Sequence, residues 1–155
     1  MFRLAIASLA ISATAALALD KRAAVSDCLA EKEVPVSEVG TEDWDWDAAP
    51  FNVRTPFTPV AIAVPRTEKH IQDAIQCGVE NGVKVTPKCG GHSYANYGFG
   101  GEDGHLMLEL DRMNKVELDE ETGIATVEGG SRLGHVASVL YELGKRDFSH
   151  GTCPG

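Results

Sequence analysis

Lys84 to Leu110 reads KVTPKCGGHSYANYGFGGEDGHLMLEL. Its two ends look like strands. Val83 and Val85 alternate with polar neighbours ahead of Pro87, and HLMLEL (105–110) is a short apolar run. Between them, Cys89 to Gly104 holds six glycines in sixteen residues. A loop of that kind, leaving a strand directly, brings backbone N–H groups close to a ligand because no Cβ intervenes. Successive N–H groups in tight turns form a concave anion site.

Upstream, VAIAVP (60–65) reads as a buried strand closed by proline, and RTEKHIQDAIQCGVENG (66–82) as a helix. Thr67 is its predicted cap, Gly82 its stop, and Ile71, Ala74, Ile75 and Val79 its apolar face. With VKVTP this makes a strand-helix-strand unit. Downstream, KVELD (115–119) and GIATVEGG (123–130) form a hairpin about the turn EETG. SRLGHVASVLYELG (131–144) is an amphipathic helix with Ser131 as candidate cap and Leu133, Val136, Ala137, Leu140 and Leu143 on one face. The class is α+β. Before residue 59, a short helix is predicted over 23–34, capped by Ser26 or Asp27. Residues 40–58 read as an irregular surface loop with Trp44 or Trp46 packed inward.

Residues 4–19 are uncharged and mostly apolar, follow Arg3, and end near the small-x-small triplet Ala16-Leu17-Ala18. That is the pattern of a secretory signal peptide over 1–18, and the run is shorter than the ~20 residues of a membrane span. Three segments follow: 1–18 signal, 19–58 lead-in, 59–155 the domain proper. Lys21-Arg22 reads either as a processing site or as two solvated charges. Without residues 1–22 the chain has 11 basic and 22 acidic residues, a net charge of −11. Such a surface repels nucleic acid and anionic membranes, so neither is an expected partner.

The four cysteines, Cys28, Cys77, Cys89 and Cys153, allow three pairings, and an oxidising compartment favours disulfides. Cys28 and Cys77 lie in helix-like text and look like a disulfide tying the amino terminus to a helix. Cys89 and Cys153 lie in glycine-rich turns, KCGGH and GTCPG. A Cys89–Cys153 disulfide and a zinc site built on Cys89-x-x-His92 both stand as readings of that pair.

The glycine loop suits a phosphate or pyrophosphate, yet it is neither a Rossmann fingerprint nor a P-loop. Asp103 stands where G-x-G-x-x-G needs glycine, no helix follows, and no G-K-Ser/Thr occurs. His92 and Cys153 are two nucleophiles held in glycine turns. One chemistry uses both, since a flavin is open to attack at its 8α-methyl carbon by imidazole and at ring carbon 6 by thiolate.

At these residues a resemblance becomes specific. PKCGGHSYANYGFGGEDGHLMLELDRM and VEGGSRLGHVASVLYELGKRDFSHGTCPG, with His92 and Cys153 61 residues apart, resemble the first part of the flavin domain in fungal glucooligosaccharide oxidases. These are berberine-bridge-enzyme-like members of the vanillyl-alcohol-oxidase superfamily, with a PCMH-type FAD-binding domain. The resemblance implies FAD bound covalently twice, at His92 and at Cys153. Contacts come from Lys88, Gly90, Gly91, Ser93 and Tyr94 around the pyrophosphate and ribityl chain, and from Gly151 and Thr152 near the ring. It also implies the Cys28–Cys77 disulfide and no metal.

The implied reaction oxidises the anomeric hydroxyl of a sugar or oligosaccharide to a lactone, with O2 reduced to hydrogen peroxide outside the cell. Oxidation of an alkaloid, alcohol or secondary metabolite is the alternative. Cys89 departs from the family pattern, where glycine or serine is common. By the same resemblance, residues 59–155 are part of the domain, and the catalytic base is expected beyond Gly155. The chain itself is then a fragment without turnover. A metal- or ligand-binding module and a truncated non-catalytic product are the competing classes.

Overall fold

The computed structural model describes residues 20–155, and the signal peptide expected over 1–18 lies outside them. Residues 20–31 are helical (α1). There follow β1 (Val36–Ser37), α2 (Glu42–Asp47), β2 (Ala61–Ala63), α3 (Glu68–Glu80), β3 (Val85–Lys88), a 3-10 turn (Tyr97–Phe99), β4 (Leu106–Glu109), β5 (Val116–Leu118), β6 (Ala125–Val127) and α4 (Leu133–Gly144). The architecture is α+β. One sheet has the order β1-β2-β4-β3, and a separate antiparallel pair is β5-β6. β4 is parallel to both β2 and β3, while β1 closes the other edge antiparallel to β2.

The strand-helix-strand unit therefore skips one place, and β4 enters the gap between β2 and β3. A strand buried on both faces should be apolar throughout. β4 begins that way, and its alternate side chains feed two cores. Leu106 and Leu108 join Val25, Leu29, Ala74 and Cys77 from α1 and α3. Met107 joins Ile62 and Phe99 on the other face, with Trp44 and Phe57 packed against them.

Several local expectations are corrected. The first helix begins before Ser26 and Asp27, which lie inside it. Lys21 Nζ donates to the Gly82 carbonyl at 3.4 Å and Arg22 Nη2 to the Pro59 carbonyl at 3.3 Å, so both bases reach the domain. EDWDWD is a helix, because Thr41 caps it by accepting from Trp44 N and three acids occupy its first turn. Trp44 packs inward, while Trp46 is 78% exposed.

Thr67 caps α3 as expected, and Gly82 at φ +59° follows its end. Its buried face is Ala74, Cys77 and Gly78, with Ile71 at the edge; Ile75 and Val79 face outward. Gly78 sets this rotation, since a Cβ there would stand 2.3 Å from Val85 Cγ2. The helix lies against β3 along its glycine, and Val79 is turned away.

Cys28 and Cys77 form a disulfide with 5.8 Å between Cα atoms, joining α1 to α3. Closing a loop with a sequence separation of 49 restricts the unfolded chain by about 4 kcal/mol on a chain-entropy account.

At the carboxyl ends of β3 and β4, Lys88 and Glu109 are register partners and form a buried ion pair. The Lys88 ammonium also donates to the Asp47 carbonyl at 3.2 Å and lies 5.4 Å from the centroid of Phe99. Burial raises the pKa of Glu109, and the Lys88 ammonium opposes that rise. Removing one partner strands the other charge. Lys88→Met is expected to cost about 3–5 kcal/mol, and Lys88→Met with Glu109→Leu to recover most of it, in urea unfolding.

His105 is 1% exposed. Its Nδ1 donates to the Glu102 carbonyl at 2.8 Å, and its Nε2 is buried without a partner. Protonation would bury an N–H with no acceptor, and burial lowers the pKa from 6.5. Below that value the unfolded chain takes up a proton that the fold refuses. Stability is therefore expected to fall from pH 6.5 downward, and His105→Gln to flatten that limb in thermal melts.

Candidate flavin site

The loop expected to carry the chemistry leaves β3 at the carboxyl end of the parallel strands, where open sheets place their ligands. It turns at once. Gly91 has φ +67°, in the left-handed region that favours glycine. A Cβ on Gly91 would also meet Lys88 Cε at 3.1 Å and Phe99 Cε2 at 3.3 Å. At Gly90 it would stand 2.7 Å from His92 Nδ1 and Cε1. The imidazole thus folds back over Gly90, a pose that a Cβ there would displace.

The far side of the loop is anchored by Asn96. It is fully buried, adopts φ +52°, and accepts from Asn52 N at 3.1 Å. Its amide donates to the carbonyls of Asn52 and Thr55 at 2.7 and 2.9 Å. Asn52 in turn donates through Nδ2 to the Tyr94 carbonyl at 2.8 Å. These bonds lay the 50s segment alongside the glycine loop. Phe51 meets the His92 ring edge-on at 5.6 Å, with the Tyr94 ring 5.7 Å away on a tilt.

The result is a cleft of about 310 Å³. Gly90, Gly91 and His92 form one part of its lining, Trp46 with residues 49–51 another, and Lys88, Phe99 and Arg132 also line it. His92 is exposed within it, and Tyr94, 82% exposed, stands outside. Lys88 touches the cleft, but its ammonium is committed to Glu109 and Asp47, so it supports Gly91 from beneath rather than offering a free charge. Ser93 is half-buried, and its carbonyl accepts from Asn96 N at 2.9 Å.

Cys153 is exposed and, with Gly151 and Thr152, does not line the cleft. Its segment docks instead on the start of α4. That helix has Arg132, not Ser131, at its N-cap, and no side chain caps it. Ser131 lies one residue too early, its N–H closing a turn onto the Glu128 carbonyl at 3.1 Å. The Pro154 carbonyl takes over the capping, accepting from Gly134 N at 2.8 Å. Gly134 allows it, since a Cβ there would meet Pro154 Cβ at 3.1 Å. Gly151 lies against Leu133, 3.8 Å from its Cδ1 by the same measure.

Arg132 connects the two places, lining the cleft and donating through Nη1 to the Cys89 sulfur at 2.9 Å. Cys89 and Cys153 are both free thiols, and the Cys89 thiol donates to the Ser131 carbonyl at 3.6 Å. Among the described residues no three His, Cys, Asp or Glu side chains converge. The sequence reading missed Trp46, Phe51 and Arg132 as cleft residues. Only the acidic-aromatic run around Trp46 hinted at anything, and nothing local marked the other two.

These features suit a flavin dinucleotide. Bare glycine backbone beside an exposed imidazole leaves room for a flat ring, and the cleft carries a cation and open aromatic faces. Residues 59–149 match the family described as FAD binding domain. The chain is 59% identical over 152 residues to a xylooligosaccharide oxidase of Thermothelomyces thermophilus, covering 95% of this chain and 31% of that protein. The solved xylooligosaccharide oxidase from Myceliophthora thermophila C1 in complex with xylobiose superposes with a TM-score of 0.83 at 61% identity, over 84% of this chain and 28% of that one. A glucooligosaccharide oxidase from Acremonium strictum, whose FAD is 6-S-cysteinyl and 8α-N1-histidyl, gives 0.82 at 50% identity over 84% and 27%. The chain thus spans about a third of the length of the relatives it matches. It belongs to the FAD binding domain family, and FAD is its cofactor.

Proposed function

We propose that this chain is the flavin-attaching part of a secreted oligosaccharide oxidase. FAD is held through His92 and Cys153, a sugar's anomeric hydroxyl is oxidised to the lactone, and O2 is reduced to hydrogen peroxide. The observation that carries the reading is the His92 imidazole, exposed in the cleft and folded over Gly90. Its support comes from the relatives, which are named for oligosaccharide oxidation and include one whose FAD carries both a histidyl and a cysteinyl bond. A disulfide between Cys28 and Cys77 suits an oxidising, extracellular setting. Among the described residues no helix is long and apolar enough to cross a membrane.

FAD, when bound, would supply the two-electron acceptor, with O2 as the final oxidant. The residues of this chain bind and orient. His92 presents a ring nitrogen as nucleophile, positioned by Gly90 beneath it and by the edge of Phe51. Gly91 brings its backbone close, backed by the Lys88 stem and Phe99. Cys153 presents a thiol from a turn held by the Gly134–Pro154 bond. The same scaffold acting on an alkaloid, alcohol or secondary metabolite would give peroxide with those substrates and none with sugars.

In the full gene product, flavin is expected to stay with the protein after acid denaturation. His92→Ala and Cys153→Ala singly should each retain one attachment, and together release all flavin to the supernatant. Peroxide should appear with xylobiose or cellobiose. Complete release of flavin from the unsubstituted protein would sink the reading. Gly90→Ala is expected to displace the imidazole and abolish the histidyl bond selectively. Peptide mass mapping should then find flavin on the Cys153 peptide alone.

A further inference from the structure

Among the described residues, Arg132 is a cation without a paired anion. A guanidinium has five N–H donors, and sulfur is a weak acceptor. Among the described residues, the side chain's one hydrogen-bond partner is the Cys89 sulfur at 2.9 Å. None of the ion pairs among those residues includes it. The residue is half-buried and shares the cleft lining with Gly90, Gly91 and His92. The backbone adds charge of the same sign, since Arg132 is the N-cap of a twelve-residue helix with no side-chain cap. The neighbouring Ser131 hydroxyl is closed off from solvent and has no partner. Lys88, the other cation touching the cleft, is neutralised by Glu109.

We propose that Arg132 binds the pyrophosphate of FAD and thereby sets where the dinucleotide lies relative to His92. This rests on the reading that the cleft holds FAD. The choice of anion follows from charge. A neutral oligosaccharide offers none, and the oxidised flavin ring is uncharged. The pyrophosphate is the anionic group of the resting cofactor. A guanidinium fork matches phosphate oxygens two at a time. The Cys89 contact fixes one edge of the fork and leaves the other donors free.

The test uses the full gene product carrying His92→Ala and Cys153→Ala, so that binding is reversible, with FAD and riboflavin titrated by fluorescence. Riboflavin has the ring and lacks the phosphates. FAD is expected to bind more tightly than riboflavin. Adding Arg132→Gln should weaken FAD by about 10–100-fold, the range for losing a charged hydrogen bond. Riboflavin binding should hold within about twofold, since that loss is confined to the phosphates. Arg132→Lys should recover part of the FAD advantage, because it keeps the charge and loses the fork.

Equal weakening of both ligands would mean that Arg132 only supports the scaffold, and an unchanged FAD affinity would overturn the inference outright. If neither flavin binds to protein that retains Arg132, the FAD reading itself fails and the inference with it. Inorganic pyrophosphate provides a check that needs no substitution at Arg132. It should displace FAD and leave riboflavin bound, and failure to displace FAD overturns the proposal.

Discussion

The Lys88 ammonium ties together four pieces of chain at one point. It pairs with Glu109 on the next strand, donates to the Asp47 carbonyl at the end of α2, and faces the ring of Phe99 in the 3-10 turn. Its stem lies under Gly91. A buried ion pair adds little net stability, because desolvation offsets the Coulombic gain. What it supplies here is position. Both charges stand at the carboxyl ends of adjacent parallel strands, so the glycine loop must leave the sheet at one place and in one direction. The cleft, the turn at Gly90–Gly91 and the pose of His92 follow from that departure point.

A second set of contacts does for Cys153 what the Lys88 pair does for His92. The first turn of α4 needs acceptors for its free N–H groups, and no side chain of the helix provides one. The Pro154 carbonyl does so from a segment twenty residues further along the sequence. A helix end and a reactive turn therefore satisfy each other. Arg132 sits at the junction, one residue before the helix and in contact with Cys89 of the glycine loop. The glycine loop and the Cys153 turn are thus referred to a common helix terminus rather than to each other.

The local sequence readings that failed did so for different reasons. Ile75 and Val79 fit a helical stripe with Ile71, yet they face outward, because the closest helix–strand approach runs along Gly78. Ser131 has the chemistry of a cap, but the helix starts one residue later, with Arg132 at the N-cap. EDWDWD looked irregular because its helix is six residues long, too short for any apolar period to show. At Gly78 the packing of helix on strand decided, whereas in the other two cases the decision lay within a few residues.

The sequence by itself determined the α+β class, the strand-helix-strand order, the Thr67 cap, the glycine loop and its histidine, and the resemblance that pointed to FAD. These are properties of spacing and residue type, which a linear reading can measure. The tertiary structure decided that β4 lies between β2 and β3 and that Lys88 spends its charge on Glu109. It also brought Trp46, Phe51 and Arg132 into one cleft with His92. Those facts depend on which distant groups come within a few ångströms. Close packing and the pairing of buried charge set those distances, and no local pattern in the chain encodes them.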